Sequence, residues 1–251
     1  MKPYSQDEFK ILEEKYRLTL QMNPSTLSIQ SRQLLHDDEL KTFLTHIKER
    51  TKAANLAVAS SLFVKRYCFV VLITLFSMSA LNKRLDCSFE NISIQTLDDK
   101  DSLWLPSIKL KRLNVTEIPH WDRAKWRNEL LSDIFRGHIE VLFNNLNKVS
   151  KLSKFIMWEN MFVYIQWMYK NLLEDTNFRD RKQMIEDDFN YIIKECNGQL
   201  FGAYAENPFL KFNVKPCSNN IRKTCCLSYL TESKGSFCNT CPIRFKKMQK
   251  R

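Results

Sequence analysis

The chain has 251 residues, of which 44% are apolar and 27% are charged, and its formal net charge is +11. These proportions are typical of a globular protein with a sizeable core and exclude a disordered tail. Only 4 residues are glycine, and neither G-x-G-x-x-G nor G-x-x-x-x-G-K-[ST] is present. The usual fingerprints of dinucleotide and P-loop nucleotide binding are therefore absent, and an all-β sandwich, whose turns need glycine, is disfavoured.

The first eighty residues predict helices. Apolar residues over 6–22 have helical spacing, and the charged side chains among them argue against a secretory signal peptide. Residues 38–81 predict two helices, the second of which begins near Lys52. Its most apolar run, residues 67–81, has 15 residues, whereas a bilayer span needs about 20. We therefore expect a buried core helix and no stable membrane insertion.

Between residues 85 and 115 the apolar period changes from helical to alternating, around a polar turn at 98–101. The alternating sets are Leu85, Cys87 and Phe89; Ile92 and Ile94; Leu103 and Leu105; and Ile108 and Leu110. This pattern predicts a strand pair or a small antiparallel meander. Helical spacing returns at 121–146, 152–173 and 178–196. The predicted fold is therefore α+β, predominantly α-helical with a small antiparallel sheet.

The C-terminal segment is chemically unlike the rest of the chain. Residues 211–251 contain ten basic residues and one acidic residue, so they carry +9 and leave only +2 for residues 1–210. Five of the eight cysteines lie in this segment: Cys217, Cys225, Cys226, Cys238 and Cys241. In a reducing cytoplasm, clustered thiols more often bind metal than form disulfides. We therefore divide the chain into a mainly helical region, 1–210, and a basic, cysteine-rich metal-binding segment, 211–251.

Four of these cysteines form a candidate ligand set. An adjacent pair, Cys225 and Cys226, is followed by eleven residues and then by Cys238 and Cys241 in a C-x-x-C. Four thiolates suffice for a [2Fe-2S] cluster or for a tetrahedral Zn²⁺. Structural zinc sites usually separate the ligands of each pair by two to four residues, and adjacent side chains diverge. The spacing therefore favours two irons over one zinc, with unliganded thiols as the remaining alternative.

The residues around these cysteines form two strings, RKTCCLSY at 222–229 and FCNTCP at 237–242. Together they resemble the C-terminal signature of FhuF-type ferric siderophore reductases. Members of that family hold a [2Fe-2S] cluster through a C-C-x10-C-x2-C motif. The resemblance implies that Cys225, Cys226, Cys238 and Cys241 are the cluster ligands. This chain has one additional residue between the pairs, within the turn-like stretch 231–236. Residues 158–160, Trp-Glu-Asn, are similar to a helix motif of the family.

The resemblance also implies a function, which is one-electron reduction of a ferric siderophore in the cytoplasm and release of Fe(II). Four basic residues flank the ligands and predict binding of an anionic, citrate- or hydroxamate-type complex: Arg222, Lys223, Arg244 and Lys246. Since nucleotide motifs are absent, we expect a separate electron donor such as a ferredoxin or a flavin reductase. The sequence is also compatible with a protein bound peripherally at the inner face of the membrane.

Two other functions are compatible with the sequence. One is a zinc-ribbon-like module whose basic tail grips nucleic acid phosphates, although the cysteine spacing and the lack of a basic helical stripe argue against a nucleic acid partner. The other is a siderophore-binding or biosynthetic scaffold with a structural metal site. We expect the remaining histidines and cysteines to have structural roles, because none is separated from another histidine or cysteine by a spacing typical of metal ligands. They are His36, His46, His120, His138, Cys68, Cys87 and Cys196.

Overall fold

A computed structural model of the chain describes residues 4–113, 115–117, 122–213, 221–232 and 236–249. The described part is mostly helical, with two small sheets and with the C-terminal cysteines clustered. This confirms the predicted fold class. The helices are α1 (Gln6–Tyr16), α2 (Asp37–Thr51), α3 (Leu56–Ser79), α4 (Arg123–Ser132), α5 (Glu140–Ser150), α6 (Lys154–Glu174), α7 (Lys182–Asn190) and α8 (Pro242–Gln249). The strands are β1 (Leu18–Thr19), β2 (Ile29–Gln30), β3 (Lys83–Leu85), β4 (Ile92–Gln95), β5 (Ser107–Leu110) and β6 (Val115–Glu117).

Helix α1 is shorter than its apolar pattern predicts. Arg17 has a φ of 60°, in the left-handed region, and its backbone N–H bonds back to Glu13 and Leu12. Such a cap ends the helix at Tyr16. Leu18 then continues in a strand that pairs in parallel with β5, so the prediction of helix as far as residue 22 is wrong.

The larger sheet has the strand order β1-β5-β4-β2. Its antiparallel centre is the predicted pair, with Ile94 opposite Ile108. The sheet as a whole is mixed, because β1 joins the predicted antiparallel pair in parallel. Strands β1 and β2 have only two residues each, too few for an alternating pattern to be recognised.

The smaller sheet pairs β3 with β6 in antiparallel orientation, and two predicted strand extensions are loops instead. Leu103 and Leu105 precede β5, and their backbone N–H groups both donate to the carboxylate of Asp101. Residues 87–89 follow β3, where the N–H of Ser88 donates to the Asp86 carboxylate. In both places a local aspartate turn competes successfully with strand pairing.

Helix α3 is the centre of the core and packs against α2 and α6. It has 24 residues, and most of them are buried. By length and composition it is the one described helix that is apolar enough to cross a membrane, but 78% of its most apolar window is buried inside the protein. Its apolar surface is therefore covered by other parts of this chain, as expected for a core helix.

Polar contacts fix α3 against the helices around it. The amide of Asn160 in α6 donates to Ser61 Oγ in α3 at 3.0 Å. At the other end of α3, Ser79 donates to the fully buried carboxylate of Asp188 in α7 at 2.9 Å. Arg123 of α4 also pairs with Asp188. Because buried polar groups cost free energy unless they are paired, these bonds favour one arrangement of α3 relative to α6 and α7.

The second half of the helical region follows the predicted pattern. The predicted helix 121–146 consists of α4, a π-helical segment (Asp133–Ile139) and α5, apart from Trp121, which lies outside the described residues. Helix α6 corresponds to the prediction 152–173. The prediction 178–196 corresponds to α7 and a second π-helical segment (Tyr191–Glu195), preceded by a 3-10 turn.

Candidate metal centre

The cysteine-rich segment packs directly on the helical core. The backbone N–H of Ala54, just before α3, donates to the carbonyl of Leu230 at 3.1 Å, and Ala53 forms an isolated bridge with Thr231. Within the segment, the N–H of Arg222 donates to the carbonyl of Thr240 at 3.1 Å. This last bond joins the turn that carries the first cysteine pair to the turn that carries the second.

The four predicted ligand cysteines lie close together. Cys225 Sγ is 3.7 Å from Cys241 Sγ, and Cys226 lies within hydrogen-bonding reach of the Cys238 thiol. Each of these two pairs therefore combines one member of the adjacent doublet with one member of the C-x-x-C. The sulfurs of the doublet point to different partners, which is the divergence expected of neighbouring side chains.

Local backbone geometry produces this arrangement. Leu227 has a φ of 60°, in the left-handed region, so the chain turns sharply after the doublet, and its N–H points at Cys225 Sγ at 3.4 Å. The C-x-x-C closes a turn in which the N–H of Cys241 donates to the carbonyl of Cys238 at 3.1 Å. Helix α8 begins immediately afterwards with Pro242 at its first position, where proline is favoured.

The sulfur positions fit metal ligation. Two sulfurs on one tetrahedral metal with bonds of about 2.3 Å lie about 3.8 Å apart, which matches the Cys225–Cys241 separation of 3.7 Å. A disulfide would require about 2.05 Å, and all four residues are free cysteines. In the described ranges, no three or more histidine, cysteine or acidic side chains converge closely enough to hold a single metal ion. Four thiols arranged in two pairs are better suited to a cluster with two metal atoms than to a single metal ion bound by all four.

Glu159 of α6 anchors the first cysteine turn. Its side chain is almost fully buried, and its carboxylate accepts from the backbone N–H groups of Lys223 at 2.6 Å and Thr224 at 2.8 Å. The Thr224 hydroxyl donates to the same carboxylate. A buried carboxylate that receives several hydrogen bonds is a strong, directional anchor. Glu159 therefore positions the backbone just before Cys225.

Arg222 completes this anchor from the other side. Its guanidinium donates to Asn160 Oδ1 at 2.6 Å and lies 3.5 Å from the Glu159 carboxylate. The Arg222 side chain is only 8% exposed. In this structure Arg222 is thus occupied in a buried ion pair, and it does not offer its charge at the surface as substrate binding would require.

Cys226 is the most closely surrounded of the four thiols. Its carbonyl accepts from Ser61 Oγ of α3 at 2.8 Å, and its sulfur lies 3.3 Å from Ser228 Oγ and 3.9 Å from Lys65 Nζ. Burial alone would raise the pKa of Cys226, but the charge of Lys65 and the hydrogen bonds of Ser228 lower that pKa to about 7. The polar contacts therefore favour the thiolate, which is the form that binds metal.

Cys225 and Cys238 have different surroundings. Burial raises the pKa of the Cys225 thiol to about 12, and the neighbouring Cys241 adds to the rise. Burial and the charge of Cys226 also raise the pKa of the Cys238 thiol. Four thiolates this close together would repel one another, and a bound cation would remove that repulsion.

The other predicted substrate residues lie at the surface. Lys223 belongs to the first cysteine turn, and Arg244 and Lys246 belong to α8; all three are exposed. Lys247 is exposed as well and lies over the ring of Phe237, beside the second cysteine pair. Cys217 and His120 fall outside the described residues, as do residues 233–235 of the turn that contains the additional residue.

The remaining histidines and cysteines occupy structural positions. Cys68, Cys87 and Cys196 are buried. His138 is buried in the first π-helical segment, where it hydrogen-bonds with the Tyr67 hydroxyl at 2.7 Å and stacks on Phe89. His46 lies near the carbonyl of Thr26. Cys68, Cys87, Cys196, His46 and His138 thus take structural positions. His36 is exposed just before α2, and His120 lies outside the described residues.

Sequence reasoning missed Lys65, Ser61 and Ser228 as parts of the site. Lys65 gave one usable signal, because Lys65 and Arg66 are the charged residues of a largely apolar helix, but nothing local connects Lys65 with a cysteine far along the chain. The chain matches no known family model, and no curated protein is significantly similar to it. The resemblance to FhuF-type reductases thus depends on the cysteine motif.

Proposed function

We propose that this protein is a cytoplasmic ferric siderophore reductase that uses a [2Fe-2S] cluster to reduce Fe(III) by one electron and release Fe(II). The observation that carries the proposal is the arrangement of the four thiols in two pairs, with one sulfur–sulfur distance of 3.7 Å. Two pairs suit two irons, each with two cysteine ligands. The motif resemblance supports the same assignment.

The residues of the chain have distinct tasks in this proposal. Cys225, Cys226, Cys238 and Cys241 would hold the cluster, which supplies one electron at low potential when it is bound. Glu159 holds the backbone of the first turn through the Lys223 and Thr224 N–H groups. These bonds fix the backbone before Cys225 to α6, which reduces the conformational entropy that cluster assembly must overcome.

The substrate is a Fe(III) ion bound by the hard oxygen donors of a siderophore. Fe(II) binds such donors more weakly, so reduction is equivalent to release. Each tenfold preference of the chelator for Fe(III) lowers the potential of the iron by about 59 mV. All-cysteine [2Fe-2S] clusters of the plant-ferredoxin type have reduction potentials of about −400 mV, which is low enough to reduce chelated Fe(III).

Three exposed basic residues provide the proposed surface for an anionic chelate: Lys223, Arg244 and Lys246. They belong to the two chain segments that also carry the cysteines, so a complex held by them would lie near the thiols. Arg222 is better assigned to the buried anchor described above. A separate electron donor, such as a ferredoxin or a flavin reductase, would supply the electron, because the sequence carries no nucleotide-binding fingerprint.

The first test is the composition of the protein after anaerobic purification. We expect iron and acid-labile sulfide in equal amounts, about two of each per chain, and visible absorption that bleaches with dithionite. A colourless protein that holds one zinc per chain would overturn the proposal and favour the zinc-ribbon alternative.

The second test is the reaction itself. The dithionite-reduced protein is mixed anaerobically with a panel of ferric chelates, and reoxidation is followed through the visible absorption. We expect the fastest reoxidation with anionic citrate- or hydroxamate-type complexes, together with Fe(II) trapped by a ferrous chelator. A cluster that stays reduced with every ferric chelate would overturn the reductase proposal and favour a binding scaffold with a structural cluster.

A further inference from the structure

Lys65 lies in the middle of the apolar core helix α3 and is only half-buried. Its Nζ is 2.9 Å from Ser228 Oγ and 3.9 Å from Cys226 Sγ. Ser61, one helical turn earlier on the same face, donates to the Cys226 carbonyl. Residues four apart lie on one face of a helix, so Ser61 and Lys65 both point toward the same cysteine.

A cation in this position costs free energy unless it meets an anion, because it is partly removed from water. The Cys226 sulfur is one group that Lys65 Nζ reaches, and Ser228 Oγ contacts both, at 2.9 Å from Lys65 Nζ and 3.3 Å from the sulfur. The three side chains form a short network around one sulfur of the metal centre. A positive charge at this distance favours negative charge on the group around the sulfur.

We propose that Lys65 is a positioning residue of the metal centre that raises the reduction potential of the bound group through its charge beside Cys226. The inference rests on the proposed function, since it requires a redox-active centre. Potentials of iron–sulfur centres depend on net charge and on hydrogen bonds to the sulfurs. Reduction adds a negative charge, and a nearby cation in a partly water-excluded site stabilises the reduced form more than the oxidised form.

The chain offers a matched control in Lys52. This lysine is also next to the cysteine-rich segment, where it pairs with Glu232, but its side chain is 67% exposed. Charges in water are screened by counterions and by the high dielectric constant. Removing Lys52 therefore deletes one positive charge from the same region without deleting the contact with sulfur.

The experiment is an anaerobic redox titration, followed by visible absorption, of the wild type and of Lys65→Met, Lys65→Arg, Ser228→Ala and Lys52→Met. Iron and sulfide contents are measured first for each protein. We expect Lys65→Met to lower the electron-transfer equilibrium constant roughly tenfold, which is about 59 mV for one electron. Lys65→Arg and Lys52→Met should titrate near the wild type, because each keeps the charge beside Cys226.

Ser228→Ala is the second variant, and it tests the inference even if Lys65→Met binds no iron and sulfide. It removes the hydroxyl that contacts both Lys65 Nζ and Cys226 Sγ and should also lower the potential. If the wild type contains the centre and both Lys65→Met and Ser228→Ala titrate like it, the role of Lys65 is refuted and the proposed function stands. If the wild type contains no iron and sulfide, the proposed function and this inference are both refuted.

Discussion

Cys226 receives contacts from two separate parts of the chain, which makes it the best-held thiol of the site. Ser61 fixes its carbonyl and Lys65 approaches its sulfur from α3, while Ser228 approaches from its own turn. Cys225, by contrast, has the N–H of Leu227 and the sulfur of Cys241 as neighbours. Cys225 and Cys226 are adjacent in the sequence, but their sulfurs have different chemical surroundings.

The first residue-scale prediction concerns the ligands. Single serine substitutions at the four predicted ligands should each lose most of the iron and sulfide, because a largely protonated hydroxyl is a poor ligand for iron that prefers thiolate: Cys225→Ser, Cys226→Ser, Cys238→Ser and Cys241→Ser. The measurement is iron and sulfide per chain after anaerobic purification.

Three buried cysteines outside the site are the controls for that prediction. Burial raises the pKa of Cys87 and of Cys196 to about 12, and burial raises the pKa of Cys68 as well, so all three are neutral core thiols. Serine at these positions should leave iron and sulfide unchanged even where stability falls. Loss of the cluster in one of them, with retention in one of the four ligand variants, would show that the ligand assignment is wrong.

A second residue-scale prediction concerns acid sensitivity. Burial lowers the pKa of His138 from 6.5 to about 4, because the ring is enclosed by Tyr67 and Phe89. The unfolded chain therefore takes up this proton first as the pH falls. The free energy of unfolding should decrease below about pH 6.5 and stop responding to this group below about pH 4.

His138→Gln should remove that contribution. Between pH 7 and pH 5, the wild type should lose about 2 kcal/mol more unfolding free energy than the variant. Urea denaturation at several pH values in this interval measures the difference. If the unfolding free energy of the wild type and of His138→Gln falls equally between pH 7 and pH 5, the pKa of His138 is not lowered in the folded protein and this prediction is wrong.

At the scale of elements, α3 and α6 act as the support on which the cysteine-rich segment lies. Asn160 of α6 contacts Ser61 of α3, and the same two helices supply Glu159 and Lys65 to the segment. The site therefore depends on the relative position of two core helices, and a change that separates them should disturb the cysteines even without touching one.

Glu159→Gln tests this dependence. The amide loses the charge that pairs with Arg222 and turns a donor toward the donors of Lys223 and Thr224. Removing one partner of a buried ion pair costs about 3–5 kcal/mol. We expect a lower melting temperature and reduced cluster retention, measured by circular dichroism and by iron content after dialysis.

The matched control is Glu174→Gln, which changes an exposed carboxylate at the end of the same helix and should alter stability by no more than about 0.5 kcal/mol. A double variant, Glu159→Gln with Arg222→Met, should be more stable than the sum of the single effects predicts, because the two side chains interact. Additive effects would show that the buried pair does not hold the segment.

At the scale of the whole molecule, charge is strongly segregated. Residues 211–251 carry +9 of the total of +11, and the ligand cysteines lie within this segment. Neutralising Lys223 with Arg244, or Arg244 with Lys246, should slow the encounter with an anionic ferric chelate and leave the cluster assembled. The wild-type rate should fall as salt rises, since the screening length is about 8 Å at physiological ionic strength.

Stopped-flow reoxidation across a salt series, with an anionic and a neutral ferric complex, measures this steering. The paired variants should respond less to salt than the wild type, and the neutral complex should respond little in any protein. An equally flat salt response for both complexes in the wild type would contradict steering by the basic segment.

The sequence by itself determined the features that depend on local pattern. Helical spacing predicts α2, α3 and α6 close to their observed bounds, because the apolar period of a helix is visible within a few turns. The motif from Cys225 to Cys241 predicts a thiol cluster, since its residues are close enough in the chain for a turn to join them. The alternating residues of β4 and β5 predict their pairing for the same reason.

Only the tertiary structure decided which distant residues serve the site. Lys65 and Cys226 are separated by 161 positions, and Glu159 and Lys223 by 64. No local period connects such residues, because their contact arises from packing the segment against α3 and α6. The same packing buries Arg222, which the sequence places among exposed basic residues. The parallel pairing of β1 with β5 is likewise a contact between distant parts of the chain. Long-range packing, which no local pattern encodes, therefore assigned Lys65, Glu159 and Arg222 to the support of the cysteines and left Lys223, Arg244 and Lys246 at the surface.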